Sequence, residues 1–204
     1  MPAVAPPVNH LQQITQYDCW HAALRMMLKW RDGAAAEPQG THTDWLYLRC
    51  REAQNGYQHE RQTALAGIAN PTPVEQYNAS RTAKIAVENW ARTRRLGGAA
   101  GYRPFESASR PGLTIALLPM ILGENRLRAV RGAALTEELG ASSDAIGTML
   151  TTHGPLYCLL GFGHVVVVTG IDGENLTVCD PLLPAPNTQG IGAVANSPAV
   201  ARLA

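Results

Sequence analysis

Between residues 154 and 183 the chain carries three short apolar runs, 156–160, 165–169 and 176–179, cut by Gly154-Pro155, Gly161-Phe162-Gly163 and Asp172-Gly173-Glu174-Asn175. Runs this short are the length of strands, and the turn residues between them leave no room for crossover helices. The segment therefore reads as consecutive antiparallel strands of a buried sheet. Just upstream, Ser142 or Ser143 can cap a helix through Ile146, Met149 and Leu150 that stops before Gly154-Pro155.

The first half reads differently. From Cys19 the residues Trp20, Ala23, Leu24, Met27 and Trp30 recur at helical spacing, with Lys29 and Arg31 in the last turn and Gly33 where a helix would stop. Residues 34–42 form a loop, after which Thr43 or Asp44 can cap a helix carrying Trp45, Leu46 and Leu48. A third helix is expected after Pro73, with Val74, Tyr77, Ile85, Val87 and Trp90 as its apolar positions. Helices first and strands last make the fold class α+β.

At 204 residues and 46% apolar content the chain can bury one sizeable core. The division expected is a tail at 1–8, disordered or draped on the surface, and a single domain at 9–204. Within it lie a helical lobe at 9–96, a Gly/Pro/Ser-rich connection at 97–112, a sheet-bearing lobe at 113–183 and a C-terminal extension at 184–204. That extension is rich in Pro, Asn, Gly and Ala and carries no strand pattern. A net charge of +1 supplies no field to hold nucleic acid, and no apolar run approaches the roughly 20 residues of a membrane span. The N-terminus lacks the charged and apolar regions of a secretory signal peptide, so the expectation is a cytoplasmic enzyme or one exported by a dedicated secretion system. Four scattered cysteines, Cys19, Cys50, Cys158 and Cys179, argue against a zinc ribbon and for a reduced state, although Cys158 and Cys179 sit on neighbouring strands and could pair.

Chemistry concentrates at two places. Cys19 falls in the first turn of its helix, with Asp18 as cap, where unpaired N–H groups and the helix dipole favour a thiolate; the same cysteine could equally be a small buried hydrophobe. Among six histidines only His164 lies between a glycine and a buried strand, a placement that suits a general base as well as a structural histidine. Folding the chain back at 172–175 sets His164 opposite a residue between 181 and 183. A three-residue loop puts Asp180 on its face one diagonal step away, and a loop of even length does so only with a bulge. Asp180 is also a natural turn residue before Pro181. Upstream of Cys19 a glutamine could donate to an oxyanion, with Gln12, Gln13 and Gln16 all chemically able.

The stretch Gln13-Ile14-Thr15-Gln16-Tyr17-Asp18-Cys19-Trp20-His21-Ala22-Ala23, with Gly163-His164-Val165 and Val178-Cys179-Asp180-Pro181, resembles the papain-like cysteine peptidase superfamily. It is similar to two bacterial branches, effector proteases delivered into host cells and peptidases that remove double-glycine leaders; Trp20 after the nucleophile favours the effector branch. The resemblance covers roughly residues 9–30 and 142–183. It implies a papain-like fold in which a nucleophile helix packs on an antiparallel sheet. By the same resemblance the catalytic residues are Cys19, His164, Asp180 and, at six residues before the cysteine, Gln13. It implies peptide hydrolysis through a thioester, with neither cofactor nor metal, on a protein or peptide substrate, and an immunity or inhibitor protein as a further partner. Glutamine deamidation, transglutamination or cell-wall amidase chemistry would use the same triad, and an inactive peptide-binding module would keep only the shape.

Other features carry less. Arg92, Arg94, Arg95 and Arg103 read as a solvated helix end, and Leu96-Gly97-Gly98-Ala99 as a hinge rather than a self-cleavage site. Cys19 and His21, two apart on a helix, point in different directions and do not suit a metal.

Overall fold

The computed structural model describes residues 3–93, 113, 117–129, 142–160, 163–192 and 199–203. Arg94, Arg95, Arg103, the Gly97-Gly98 pair and the connection expected at 97–112 lie outside them. The helices among the described residues are α1 (Cys19–Asp32), α2 (Thr41–Leu65), α3 (Pro73–Thr93), α4 (Leu118–Glu124) and α5 (Ser143–His153). The strands are β1 (Leu127–Ala129), β2 (Leu156–Leu159), β3 (Val165–Asp172), β4 (Asn175–Cys179), β5 (Asn187–Gly190) and β6 (Ala199–Leu203). They form one antiparallel sheet in the order β1-β6-β2-β3-β4-β5.

The sheet is covered on both faces, which explains the unbroken apolar run of β3. Tyr157, Leu159, Val165, Val167 and Cys179 join α1 and the start of α2 in one core. Leu156, Cys158, Val166, Val168 and Val178 join α5 in the other. Alternation along the strands thus sends Cys158 and Cys179 to opposite faces, and the disulfide considered between them is geometrically excluded; all four cysteines are free.

α1 runs as its periodicity predicts. It buries Trp20, Leu24 and Met27 completely, each contributing about 1.5–3 kcal/mol of transfer free energy. Ser142 caps α5 by accepting from the Ala145 N–H at 3.3 Å. Gly154 ends α5 at φ 78°, and any Cβ there would enter the Trp30 ring, so both backbone and packing demand glycine.

Four expectations need correction. Of the two states expected for the N-terminal tail, the disordered one is corrected: Ala3 bridges Gly170, the Val4 N–H donates to the Thr169 carbonyl at 3.0 Å, and the Trp30 indole donates to the Pro6 carbonyl at 2.7 Å. The supposed C-terminal extension supplies β5 and β6, and β6 lies between β1 and β2. Its short and partly polar strands give no apolar alternation, and backbone pairing holds them instead. α2 starts at Thr41 rather than behind a Thr43 or Asp44 cap. The Glu124 carboxylate of α4 accepts from the N–H groups of His42 and Thr43 at 2.9 and 3.0 Å, so a distant side chain caps the helix. Finally, the faces expected for α2 and α3 hold only in part: Leu46 and Val87 are buried as expected, but most of the other expected positions are not. Trp45, Leu48, Val74, Tyr77 and Ile85 are exposed, whereas Ala53, Ala79, Ala83, Val87 and Ala91 are buried.

Candidate active site

Cys19 opens α1 and is 9% exposed. The backbone N–H groups of Val165 and Trp20 reach its sulfur, so the start of α1 meets the first residue of β3, next to His164. Burial nevertheless pushes the thiol up to about 11, the two N–H groups only partly offset it, and the charges of Asp18 and Asp180 push it further up. The thiolate expected from the helix terminus is therefore not the resting form. A thiol so placed needs a base.

Asp18 is the N-terminal boundary residue of α1, but its side chain makes no capping bond. Its backbone carbonyl accepts from His21 and Ala22, both at 3.0 Å, while its carboxylate turns back to accept the Thr15 N–H at 2.9 Å. The cap expected of this side chain is thus replaced by a bond to the preceding turn. This leaves the Trp20 N–H to the sulfur.

His164 is 8% exposed and sits at the mouth of β3, where its carbonyl accepts the Leu160 N–H at 2.7 Å. Its Nε2 lies 2.7 Å from Asp180 Oδ1. The hairpin that brings them together has a two-residue loop, with Asp172 opposite Asn175 and Gly173 at φ 57°. A register shift between Val168 and Gly170 inserts Thr169 as a bulge. That bulge restores the parity that an even loop alone would lose, so the outcome is the even-loop arrangement rather than the three-residue one. Asp180 Oδ1 also accepts the Leu182 N–H at 2.9 Å. The turn role and the histidine contact are thus one arrangement, because the Asx-type bond fixes the carboxylate that the imidazole meets.

Gln13 is brought to the same corner. Its backbone N–H donates to the Pro181 carbonyl at 3.0 Å, and its side-chain Nε2 donates to the Thr15 carbonyl at 2.6 Å. Gln16 is exposed and binds the Tyr17 hydroxyl at 2.9 Å, and Gln12 is exposed. Of the three glutamines only Gln13 is tied to the Asp180 turn by a backbone bond. Thr15 and Leu182 are the parts of this corner that pattern reading missed. The Leu182 bond was readable in principle from an aspartate two residues upstream, whereas nothing local marks Thr15.

His21 stacks on Tyr47 with ring centroids 4.1 Å apart, and burial pushes it down to about 4, so it serves as an aromatic spacer between α1 and α2. Among the described residues no three His, Cys, Asp or Glu side chains converge as metal ligands, and no helix is long and apolar enough to cross a membrane.

Residues 116–195, which hold His164 and Asp180 but neither Cys19 nor Gln13, match the family described as papain-like cysteine protease AvrRpt2. No curated protein and no solved structure matches the chain. The α+β architecture, with helices on an antiparallel sheet, is compatible with a papain-like fold. The family match supports a place in the papain-like cysteine peptidase superfamily, and its name that of a protease, acting on protein.

Proposed function

We propose that the protein is a cysteine peptidase that hydrolyses peptide bonds through a thioester, with Cys19 as nucleophile, His164 as base, Asp180 as the group that orients the imidazole and Gln13 as oxyanion donor. The observation that carries the reading is the 2.7 Å bond from His164 Nε2 to Asp180 Oδ1, one residue from the N–H that reaches the Cys19 sulfur. With Nε2 committed to the carboxylate, Nδ1 exchanges the proton with the thiol. Substrate displaces the contacts that bury the sulfur. The sulfur then attacks the acyl carbon as His164 takes its proton, and the imidazolium returns that proton to the departing amine. Water, deprotonated by the same imidazole, cleaves the thioester.

Negative charge on the acyl oxygen meets two donors. One is the Cys19 backbone N–H, which as a first-turn group has no intrahelical acceptor. The other is the Gln13 carboxamide, which keeps a second hydrogen beyond the one given to Thr15. The role of a bacterial effector or toxin, exported by a dedicated system and held by an immunity protein, belongs to the same proposal. It rests on the resemblance around Cys19 and Trp20.

Mass analysis of a peptide library incubated with the protein tests the reading. Expected are pairs of shorter fragments that vanish in Cys19→Ala. Intact peptides heavier by about one dalton would mean glutamine deamidation by the same triad, and unchanged peptides with folded protein would favour the binding module.

A further inference from the structure

We infer that Asp18 is a positioning residue for the oxyanion donor: its buried carboxylate anchors Thr15 and, through Thr15, fixes the carboxamide of Gln13 on the loop that leads into Cys19. The inference rests on the peptidase reading above and adds a residue to it.

Asp18 is 2% exposed, an unusual place for a carboxylate that has, among the described residues, no cationic partner in hydrogen-bond contact. Burial raises its pKa, and bonding to Thr15 opposes that rise. The charge also lies beside a sulfur that must become anionic, where it is unfavourable. Helix capping would be the ordinary reason for an aspartate here, yet the side chain makes no capping bond. What it does bind is Thr15, through the N–H at 2.9 Å and through the side chain.

Thr15 is gripped from both sides. Asp18 holds its N–H, Gln13 Nε2 holds its carbonyl at 2.6 Å, and its hydroxyl accepts the Tyr17 N–H at 3.2 Å. Residues 13–18 thus form a closed turn that Asp18 fastens to the start of α1. Without the carboxylate Thr15 can shift as a residue, and the carboxamide bonded to its carbonyl shifts with it. A capping Asp18 would in addition compete with the Cys19 sulfur for the Trp20 N–H.

The test compares the protein with Gln13→Ala, Asp18→Ala, Asp18→Asn and the Gln13→Ala/Asp18→Ala double variant, on labelled casein. Losing an oxyanion donor costs about 10²-fold or more in kcat. Gln13→Ala is expected to show that loss, and Asp18→Ala a large part of it with KM within about twofold. Asp18→Asn recovers most of the rate, because an amide oxygen still accepts from Thr15. The double variant is no slower than Gln13→Ala alone, since both changes remove one function. Alkylation of Cys19 by iodoacetamide forms no oxyanion and stays within about threefold in Asp18→Ala.

An Asp18→Asn variant as slow as Asp18→Ala, or a double variant slowed by the product of the single effects, overturns the inference. A parallel loss of alkylation in Asp18→Ala does so too, and would reassign the residue to holding the fold. Full activity in Gln13→Ala removes the oxyanion role of Gln13 on which the inference stands. A slow Gln13→Ala beside a full-speed Asp18→Ala removes the inference and leaves that role intact.

Discussion

α1 and the α2–α3 hairpin are both long helical elements, but they pack by different means. α1 lays Trp20, Leu24, Met26, Met27 and Leu28 into the core it shares with the sheet. Of the hairpin's described residues, those in the first turns of α2 reach that core, with Leu46 and Cys50 buried in it. Beyond them α2 and α3 meet on small residues: Ala53, Ala79, Ala83, Val87 and Ala91 are buried, and Gly56 lies against Val87. Small side chains allow close helix approach but bury little area each, so the hairpin gains less per residue than α1 does. The hairpin is tied at its base by polar bonds instead. Glu124 binds His42 and Thr43, and Asn125 donates to the Thr43 hydroxyl at 3.0 Å and accepts the Gln39 N–H at 3.0 Å. Large apolar contacts hold the element that carries Cys19, the proposed nucleophile, and a hydrogen-bonded clamp holds the element that does not.

The comparison breaks most visibly in the core. Leu24→Ala should cost about 2–5 kcal/mol in urea unfolding, because a fully buried leucine leaves a cavity against the sheet. Ala83→Gly in the hairpin should cost about 1 kcal/mol, mainly through backbone entropy. Equal costs would show that the two packings are alike.

A smaller effect sharpens the second half of the comparison. Burial works to raise the Glu124 pKa, but the bonds from His42 and Thr43 outweigh it and bring the group from 4.5 to about 2. A pKa lower in the folded state means stabilisation that is complete above pH 4.5 and fades as pH falls towards 2. Glu124→Gln should therefore lower Tm by a few degrees at neutral pH, and the difference from the parent protein should close across that acid window. A Tm difference that stayed constant down to pH 2 would mean that the carboxylate charge plays no part in the clamp.

The elements that could be read from the sequence are those whose signals are local. α1 announces itself by large apolar residues at helical spacing and a terminal glycine, α5 by Ser142 and Gly154, and β2 to β4 by apolar runs between turn residues. Hairpin parity places Asp180 near His164 from the sequence alone, and the bulge at Thr169 is what the loop length does not fix. The hidden parts depend on distant partners. Alanines at 79, 83 and 91 look neutral until another helix covers them, and Val74 and Tyr77 mislead because they are apolar yet exposed. β6 is a strand because β1 and β2 leave a place for it. Position alone gives the Asp18 side chain to the helix, but Thr15 competes for it successfully, which only three-dimensional placement reveals.

The central claim is that His164 activates Cys19, and the rate at which iodoacetamide labels each cysteine, followed by peptide mapping in the parent protein and in His164→Ala, tests it most directly. Burial pushes Cys50 to about 12, Cys158 up to a range where it is inert, and Cys19 itself to about 11, so none should react quickly at neutral pH without help. The account predicts fast, selective labelling of Cys19 in the parent protein and a fall to the level of the other cysteines in His164→Ala. Labelling of Cys19 at one and the same rate in both proteins would contradict it.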